Sequence, residues 1–222
     1  MTSAAFLFRD EWIVAVDKPS GVAVHRGWAA EPDVMLARVR DAVGAYVYPV
    51  HRLDRGASGV LLFALDPETA RALGDAFTAQ RVHKRYLALV RGVPPDRVRI
   101  DHPVKKGERD GERVPAVTVV ERLEVLGRYA LVAACPETGR LHQIRRHLKH
   151  ISCPLIGDVR YGKGEHNRLF RDRYGLHRLF LHAEELRLEH PRTGEPLVVR
   201  APLGPDLAEP LARLREDVAA AR

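Results

Sequence analysis

HRLDRGASGVLLFAL (residues 51–65) joins a polar, glycine-bearing loop directly to six consecutive apolar residues. An apolar run of this length fits a fully buried strand and is far shorter than the roughly 20 residues that cross a bilayer. Asp54 lies in the loop, where a rigid backbone and apolar neighbours restrict solvation of the carboxylate and favour a nucleophile or a general base. A loop aspartate that only caps its own turn is the alternative, and the loop alone favours that alternative.

Short runs of β-forming residues lie on both sides of this strand, at 6–8, 12–16, 86–90, 117–120, 129–133 and 197–199. Asp66 and Pro67 have the chemistry of an N-cap and a first-turn proline, and they predict a helix after residue 66. Further helices are predicted over about 32–43, over 141–151 and from Asp206 onward. Blocks of strands between a few helices predict an α+β fold, with a mixed, largely antiparallel sheet flanked by helices.

The size and composition of the chain fit one globular domain spanning residues 1–222. Hydrophobic residues make up 45% of the chain and charged residues 29%, which argues against disorder and low-complexity architectures. Charged residues at 9–11 interrupt the N-terminal apolar stretch, so no secretory signal is expected. Two cysteines, Cys135 and Cys153, cannot build a disulfide framework. The sequence therefore predicts a cytoplasmic protein that has no membrane partner.

Positive charge is concentrated in one segment of the chain. Residues 139–178 hold ten Lys/Arg and three Asp/Glu, which accounts for the whole net charge of +7. Clustered positive charge indicates a polyanion-binding surface, and nucleic acid is the favoured partner. Acidic metabolites or a merely solvated face are the alternatives. Arginine makes up 30 of the 36 basic residues, which suits phosphate recognition but is equally explained by a GC-rich genome.

The helix predicted over 141–151 has one apolar face and one basic face. At about 100° per residue, one side carries Leu141, Ile144, Leu148 and Ile151, and the margin of that side carries Arg145. An arginine at this margin can reach a partly buried carboxylate, although a solvated basic helix is the alternative. His142 and His147 point in directions about 140° apart, whereas His147 and His150 could share a face. No acid or cysteine nearby completes a site, so no metal site is expected on this helix.

Several segments in order resemble the RluA-type pseudouridine synthases. HRLDRGASGVLLFA resembles the signature loop of that family, apart from Ala57, where threonine is usual. VAVDKPSGVAVH (14–25) resembles the first motif and KRYLALVRG (84–92) the tyrosine-bearing strand. PETGRLHQIRRHL (136–148) and PLIGD (154–158) resemble the third motif, and RLFLHAEEL (178–186) with HPRTGEPL (190–197) the C-terminal part. The resemblance covers about residues 12–203.

This resemblance implies the family's catalytic fold, with an active-site cleft across the sheet, and the isomerisation of uridine to pseudouridine in RNA without a cofactor. It implies that Asp54 is the catalytic aspartate, that Arg145 pairs with it, and that Tyr86 stacks on the uracil. Arg52 matches the residue that fills the gap left by the flipped nucleotide. His51 is expected beside the RNA, and Val60 or Leu62 is expected to wall the pocket.

Within the family, the chain most resembles members that modify uridine 65 of transfer RNA. VHRGW (24–28), VRDAVG (39–44) and NRLFRDRYGLHRLFLHA (167–183) carry this likeness. No S4 RNA-binding domain and no obligate oligomer are expected, so the protein is expected to be a monomer. The basic segment supplies the expected RNA contacts, at Arg140, Arg146, Lys149, Arg168, Arg171 and Arg173. A ribosomal RNA synthase of the same family and a non-catalytic RNA-binding or chaperone module remain as alternatives.

Overall fold

A computed structural model describes residues 4–25, 33–107 and 111–221 of the protein. The chain divides into two compact units, the first made of Met1–Lys84 with Ala183–Pro202 and the second of Arg85–His182 with Leu203–Arg222. Residue 32, where a helix was predicted to begin, and residues 26–28 of VHRGW lie outside the described residues. The single catalytic domain over 1–222 stays a prediction. No helix in the described part of the chain is long and apolar enough to cross a membrane.

Twelve strands and five helices make up the described structure. In chain order they are β1 (Ala5–Arg9), β2 (Ile13–Lys18), α1 (Met35–Val43), β3 (Tyr48–Pro49), β4 (Ser58–Ala64), α2 (Pro67–Thr78), β5 (His83–Arg91), β6 (Arg97–Asp101), β7 (Val104–Lys105), β8 (Arg113–Val114), β9 (Val117–Leu126), β10 (Tyr129–Pro136), α3 (Gln143–His150), α4 (Gly164–Tyr174), β11 (Leu181–Glu189), β12 (Pro196–Arg200) and α5 (Pro205–Ala220).

The first unit is organised around β4, which is buried along its whole length. Strand β2 pairs with β1 on one side and with β4 on the other, β3 also pairs with β4, and β11 pairs with β12, all antiparallel. Helix α2 begins as predicted, because the Asp66 carboxylate accepts a hydrogen bond from the Thr69 N–H at 2.9 Å. Its Leu73 side chain is buried in the core that β2 and β4 form. This core holds the loop before β4 on a rigid base.

The second unit carries the antiparallel strands β5, β10, β9 and β6, in that order, and a separate hairpin of β7 and β8. Its core gathers aromatic side chains, among them Tyr129, Phe170, Tyr174 and Phe180. Helix α5 adds Leu207, Leu211 and Leu214 to this core, at helical spacing. The core therefore joins elements from both ends of the unit's sequence.

The α+β prediction is confirmed, although several elements escaped sequence reasoning. Helix α4 was read only as part of the basic segment, because one of its three buried residues is a histidine, which weakens the apolar pattern, and Lys163 provides no side-chain cap. Strand β11 was missed as well, because Glu184 and Glu185 interrupt its apolar pattern. Glu185 is buried and accepts hydrogen bonds from Arg187 and Arg200, so ion pairing offsets the cost of its burial.

Candidate functional site

The loop before β4 presents Asp54 at the first position of a tight turn in the first unit. The turn closes where the Ala57 N–H donates to the Asp54 carbonyl at 3.0 Å. Leu53 and Ala57, on either side of the turn, are buried, whereas Asp54 is half-buried and Arg52 is exposed. Apolar anchors on both sides therefore fix the backbone that carries the carboxylate.

A second loop, KPSG at 18–21, holds this turn from the other side. The Ser20 hydroxyl donates to the Gly56 carbonyl at 2.8 Å, and the Gly21 N–H donates to the Arg55 carbonyl at 2.8 Å. The Arg55 guanidinium donates back to the Gly21 carbonyl, also at 2.8 Å. These three hydrogen bonds join two motifs that lie more than 30 residues apart in the sequence.

Lys18 is the buried centre of this arrangement. Its side chain has no exposed surface, and its ammonium donates to the carbonyls of Pro19 and Val22 at 2.8 Å each. It also donates to the Arg55 carbonyl at 3.3 Å, which lies in the Asp54 turn. Sequence reasoning missed this role, and the only signal was a lysine that ends the segment IVAVDK directly before Pro19.

Gly59, the second residue of β4, has a backbone conformation that an L side chain rarely adopts, with φ at +107°. A Cβ at this position would lie 2.1 Å from the carbonyl oxygen of Ala183 in the same unit. Both the backbone angle and the close approach therefore require glycine at the end of the HRLDRGASG loop.

His51 anchors the start of the loop. Its Nε2 accepts a hydrogen bond from the Leu62 N–H at 2.9 Å, and its ring stacks on Phe77 at 4.9 Å. Burial, together with the nearby Lys84 charge, lowers the pKa of His51 to about 3. A neutral ring held in this way anchors the loop, and the expected contact of His51 with RNA stays a prediction.

Val60 and Leu62 were expected to wall the substrate pocket, and the structure corrects this expectation. Both side chains have no exposed surface and pack in the core of the first unit with Leu73. Because β4 is buried throughout, its alternating side chains fill the core and do not face solvent.

In the second unit, Gln143 sets the beginning of α3. Its side-chain oxygen accepts hydrogen bonds from the Thr138 hydroxyl at 2.7 Å and the Arg140 N–H at 3.0 Å. Its side-chain nitrogen donates to the Val117 carbonyl at 2.9 Å and to the Thr118 hydroxyl at 3.0 Å. The PETGRLHQ segment is therefore fixed to β9 before the helix starts, and this fixes the direction in which Arg145 leaves the helix.

Arg145 forms a two-point ion pair with Asp158. Its Nε lies 2.7 Å from Oδ2, and one terminal nitrogen lies 3.0 Å from Oδ1. The Asp158 side chain is fully buried, and that of Arg145 is 12% exposed. Burial alone would raise the pKa of Asp158, but hydrogen bonds from Arg145 and from the N–H groups of Tyr161 and Arg160 outweigh it and lower the pKa. The helical pattern placed Arg145 where it could reach a partly buried carboxylate but did not identify Asp158. The pairing of Arg145 with Asp54, which the resemblance implies, stays a prediction.

The loop that carries Asp158 is itself tightly held. Gly157 has φ at +78°, and a Cβ there would lie 2.0 Å from the carbonyl oxygen of Arg178. The Asn167 side chain accepts from the Gly157 N–H and donates to the Asp158 carbonyl, both at 2.9 Å. Three segments quoted for the family resemblance, at 136–148, 154–158 and 167–183, thus meet around Arg145.

The remaining predicted residues lie in the second unit. Tyr86 is half-buried on β5, opposite Ala134 on β10. The predicted RNA-contacting residues are exposed apart from the half-buried Arg146, and they lie in or beside α3 and α4: Arg140, Arg146, Lys149, Arg168, Arg171 and Arg173. Arg173 forms an ion pair with Asp217 of α5, so its charge is already compensated within the protein.

No group of three or more His, Cys, Asp or Glu residues is placed to hold a metal ion within residues 4–25, 33–107 and 111–221. Both ring nitrogens of His147, which the helical pattern left as a possible ligand, are occupied. They lie 2.8 Å from the Thr118 hydroxyl and 2.9 Å from the His102 carbonyl.

Residues 12–150 match the model of the RNA pseudouridylate synthase family, which covers the HRLDRGASG loop, Tyr86 and α3. The chain belongs to this family. It is an RNA pseudouridine synthase and therefore an isomerase, as the motifs predicted. Curated relatives named tRNA pseudouridine synthase C are 41% identical in Vibrio cholerae, over 89% of this chain and 90% of the relative, and 41% identical in Salmonella typhimurium, over 89% and 84%.

Solved structures agree with the family assignment. Human RNA pseudouridylate synthase domain containing 4 matches with a TM-score of 0.80 and 27% identity, over 95% of this chain and 93% of that one. Human RNA pseudouridylate synthase domain containing 1 matches with a TM-score of 0.76 and 26% identity, over 98% and 95%. The α+β architecture of this synthase is therefore that of known pseudouridylate synthase domains.

Proposed function

We propose that this synthase converts uridine 65 of transfer RNA to pseudouridine in the cytoplasm, as a monomer and without a cofactor. The observation that carries the proposal is the similarity, across about 90% of both chains, to a relative named tRNA pseudouridine synthase C. The reaction breaks the bond between ribose C1′ and N1 of uracil, rotates the base and forms a bond from C1′ to C5. C5 loses a proton and N1 gains one, so atoms and charge balance without a redox partner.

In this proposal Asp54 is the catalytic carboxylate, which either attacks ribose C1′ or assists formation of a glycal. The rigid turn and the clamp by the KPSG loop support the assignment, because catalysis requires the reacting group to be held in a fixed geometry. The family resemblance assigns Arg145 as the basic residue that pairs with this carboxylate and Tyr86 as the residue whose ring stacks on the uracil. Arg52 is exposed, which suits a side chain that enters an RNA helix when a nucleotide is flipped out.

Tritium release from C5-labelled uridine in transfer RNA tests the chemistry. We expect wild-type protein to release tritium and Asp54→Asn to release none while still binding RNA. Asp75→Asn, which changes an exposed aspartate of α2 in the same unit, is the matched control and should retain full turnover. A non-catalytic RNA-binding module would release no tritium in any variant, and this result would refute the proposal.

Mapping of pseudouridine in cellular RNA, with and without the gene, tests the target. Loss of modification at position 65 of transfer RNA alone supports the proposal. Loss at a ribosomal position, with transfer RNA unchanged, would assign this synthase to the ribosomal members of its family instead.

A further inference from the structure

A cavity of about 440 Å³ lies in the second unit, at the hairpin of β7 and β8, helix α3 and the loop after Asp158. Its lining brings together five basic residues, Lys105, Arg113, Arg146, Lys149 and Arg160. Within the part of the chain that the structure describes, no aspartate or glutamate is among the lining residues. We call this cavity the basic pocket.

Local geometry places like charges next to each other around the basic pocket. Lys105 on β7 and Arg113 on β8 are direct cross-strand partners, a position at which like charges destabilise a sheet. Arg146 and Lys149 lie three residues apart on α3, where like charges also repel. The β7–β8 hairpin and helix α3 therefore each carry an unfavourable pair of like charges, and both pairs line the basic pocket. An anionic ligand in the pocket would attract each of these cations and so offset the repulsion between them.

Tyr161 organises the pocket wall. Its ring centroid lies 5.9 Å from the Arg146 guanidinium, 5.8 Å from the Lys149 ammonium and 5.5 Å from the Arg160 guanidinium. The Tyr161 hydroxyl accepts a hydrogen bond from Arg146 Nε at 3.1 Å, and Arg146 also donates to the Lys105 carbonyl. An exposed cation–π contact is weak, so the ring positions these cations without neutralising them.

Three other arginines of segment 139–178 form ion pairs with carboxylates inside the second unit. Arg145 is paired with Asp158, and Arg173 is paired with Asp217. Arg178 is paired with Asp206 at 2.7 Å. The structure therefore separates three arginines of the basic segment, which are paired within the fold, from Arg146, Lys149 and Arg160, which line the basic pocket.

We propose that the basic pocket binds a backbone phosphate of the RNA substrate. This inference rests on the proposed function, because it assigns a contact for the transfer RNA that the synthase modifies. The pocket holds arginine forks and a lysine ammonium, the groups that bind phosphate oxygens. A phosphate contact fixes the register of the RNA and carries no sequence information, which suits recognition by RNA shape.

The test compares two double variants of the full chain. Lys105→Gln with Lys149→Gln removes two exposed pocket cations, one from the hairpin and one from α3. Arg97→Gln with Arg215→Gln removes the same charge from residues outside the pocket lining, which pair with Glu121 and Glu124. The dissociation constant for transfer RNA is measured against salt concentration, and the single-turnover rate at saturating RNA is measured in parallel.

We expect the pocket variant to bind transfer RNA about tenfold more weakly near 0.15 M salt. Its log–log salt slope should be flattened by about one, since the pocket contacts one phosphate and each neutralised phosphate contributes about one. Its single-turnover rate at saturating RNA should stay within about twofold of wild type, because affinity and not chemistry is changed. A salt slope equal to that of the control variant would overturn the inference.

Competition by inorganic pyrophosphate tests whether the phosphate bound in the basic pocket belongs to RNA or to a free anion. We expect pyrophosphate to compete with transfer RNA on wild-type protein and to compete less on the pocket variant. If the variant loses pyrophosphate binding but keeps wild-type affinity for transfer RNA, the pocket serves a free anion and the RNA assignment is wrong. A wild-type protein that forms no pseudouridine, yet loses RNA affinity in the variant, would refute the proposed function alone.

Discussion

Replacement of Asp158 by asparagine isolates the ion pair that holds Arg145. The substitution keeps the size of the side chain, and the amide oxygen can still accept from the N–H groups of Arg160 and Tyr161, which lie 2.9 and 3.0 Å from Oδ1. It removes the negative charge opposite a guanidinium that is only 12% exposed. The variant therefore leaves a nearly buried cation without its carboxylate.

Loss of one partner of a buried ion pair costs about 3–5 kcal/mol in free energy of unfolding. Because the asparagine side chain retains the hydrogen bonds from the backbone, we expect a value near the lower end, about 3 kcal/mol. For a chain of this length, each kcal/mol lowers Tm by about 2–4 °C, so Tm should fall by about 6–12 °C. The single-turnover rate should fall by about 10- to 100-fold, because Arg145 loses its fixed position.

The pH dependence of this effect has a definite sign. The pKa of Asp158 is lower in the folded state than in the unfolded chain, where it is about 3.9. The carboxylate therefore contributes its full stability above about pH 4. As pH falls through the depressed folded-state pKa, that contribution is lost, and the difference between wild type and Asp158→Asn should disappear.

Glu124→Gln is the matched control, because Glu124 also receives two nitrogens of one arginine, Arg215, but is a third exposed. Exposed pairs of this kind contribute about 1 kcal/mol or less. Urea denaturation from pH 3 to 8 measures both variants against wild type. If Asp158→Asn costs no more than Glu124→Gln at neutral pH, the argument from burial is refuted.

Three further predictions concern the first unit. Lys18→Met removes the donor to three carbonyls, so it should destabilise the protein by about 3 kcal/mol or more and slow single-turnover chemistry. Lys106→Met, at an exposed lysine, should do neither. Equal single-turnover rates in the two variants would contradict the role of Lys18 in holding the Asp54 turn. Gly59→Ala should lower the free energy of unfolding by several kcal/mol or prevent folding, because of the positive φ and the close Ala183 carbonyl. Gly74→Ala, with open space around it in α2, should stabilise the protein by up to about 1 kcal/mol. Thermal melts compare the two variants. His51 should stay neutral in NMR titrations until pH approaches 3. Because its pKa is lower in the folded protein than in the unfolded chain, its contribution to stability should fall as pH drops below about 6.5. A titration midpoint of His51 near pH 6 would contradict its burial.

Elements with strong local signals were predictable. Asp66 followed by Pro67 fixed the start of α2, because the cap and the first turn are formed by neighbouring residues. Helix α4 has no side-chain cap, and strand β11 contains two central glutamates, so local patterns did not identify either. Both elements form because contacts within the folded unit outweigh weak local preference.

The candidate site was predictable only in part. The motifs identified Asp54, Tyr86, Arg52 and Arg145 as candidates, and their catalytic roles stay proposals. Lys18 was not identified, because the Arg55 carbonyl to which it donates, in the Asp54 turn, lies 37 residues away in sequence.

The sequence by itself determined the family, the α+β class and the position of the excess positive charge, because ordered motifs, strand periodicity and charge can be read residue by residue. Tertiary structure decided which of those charges are neutralised inside the protein and which face a cavity. Arg145 and Arg146 are adjacent in sequence, yet the first is paired with buried Asp158 and the second lines the basic pocket. The strength of an ion pair depends on distance and burial, and both are set by packing between segments that are far apart in the chain.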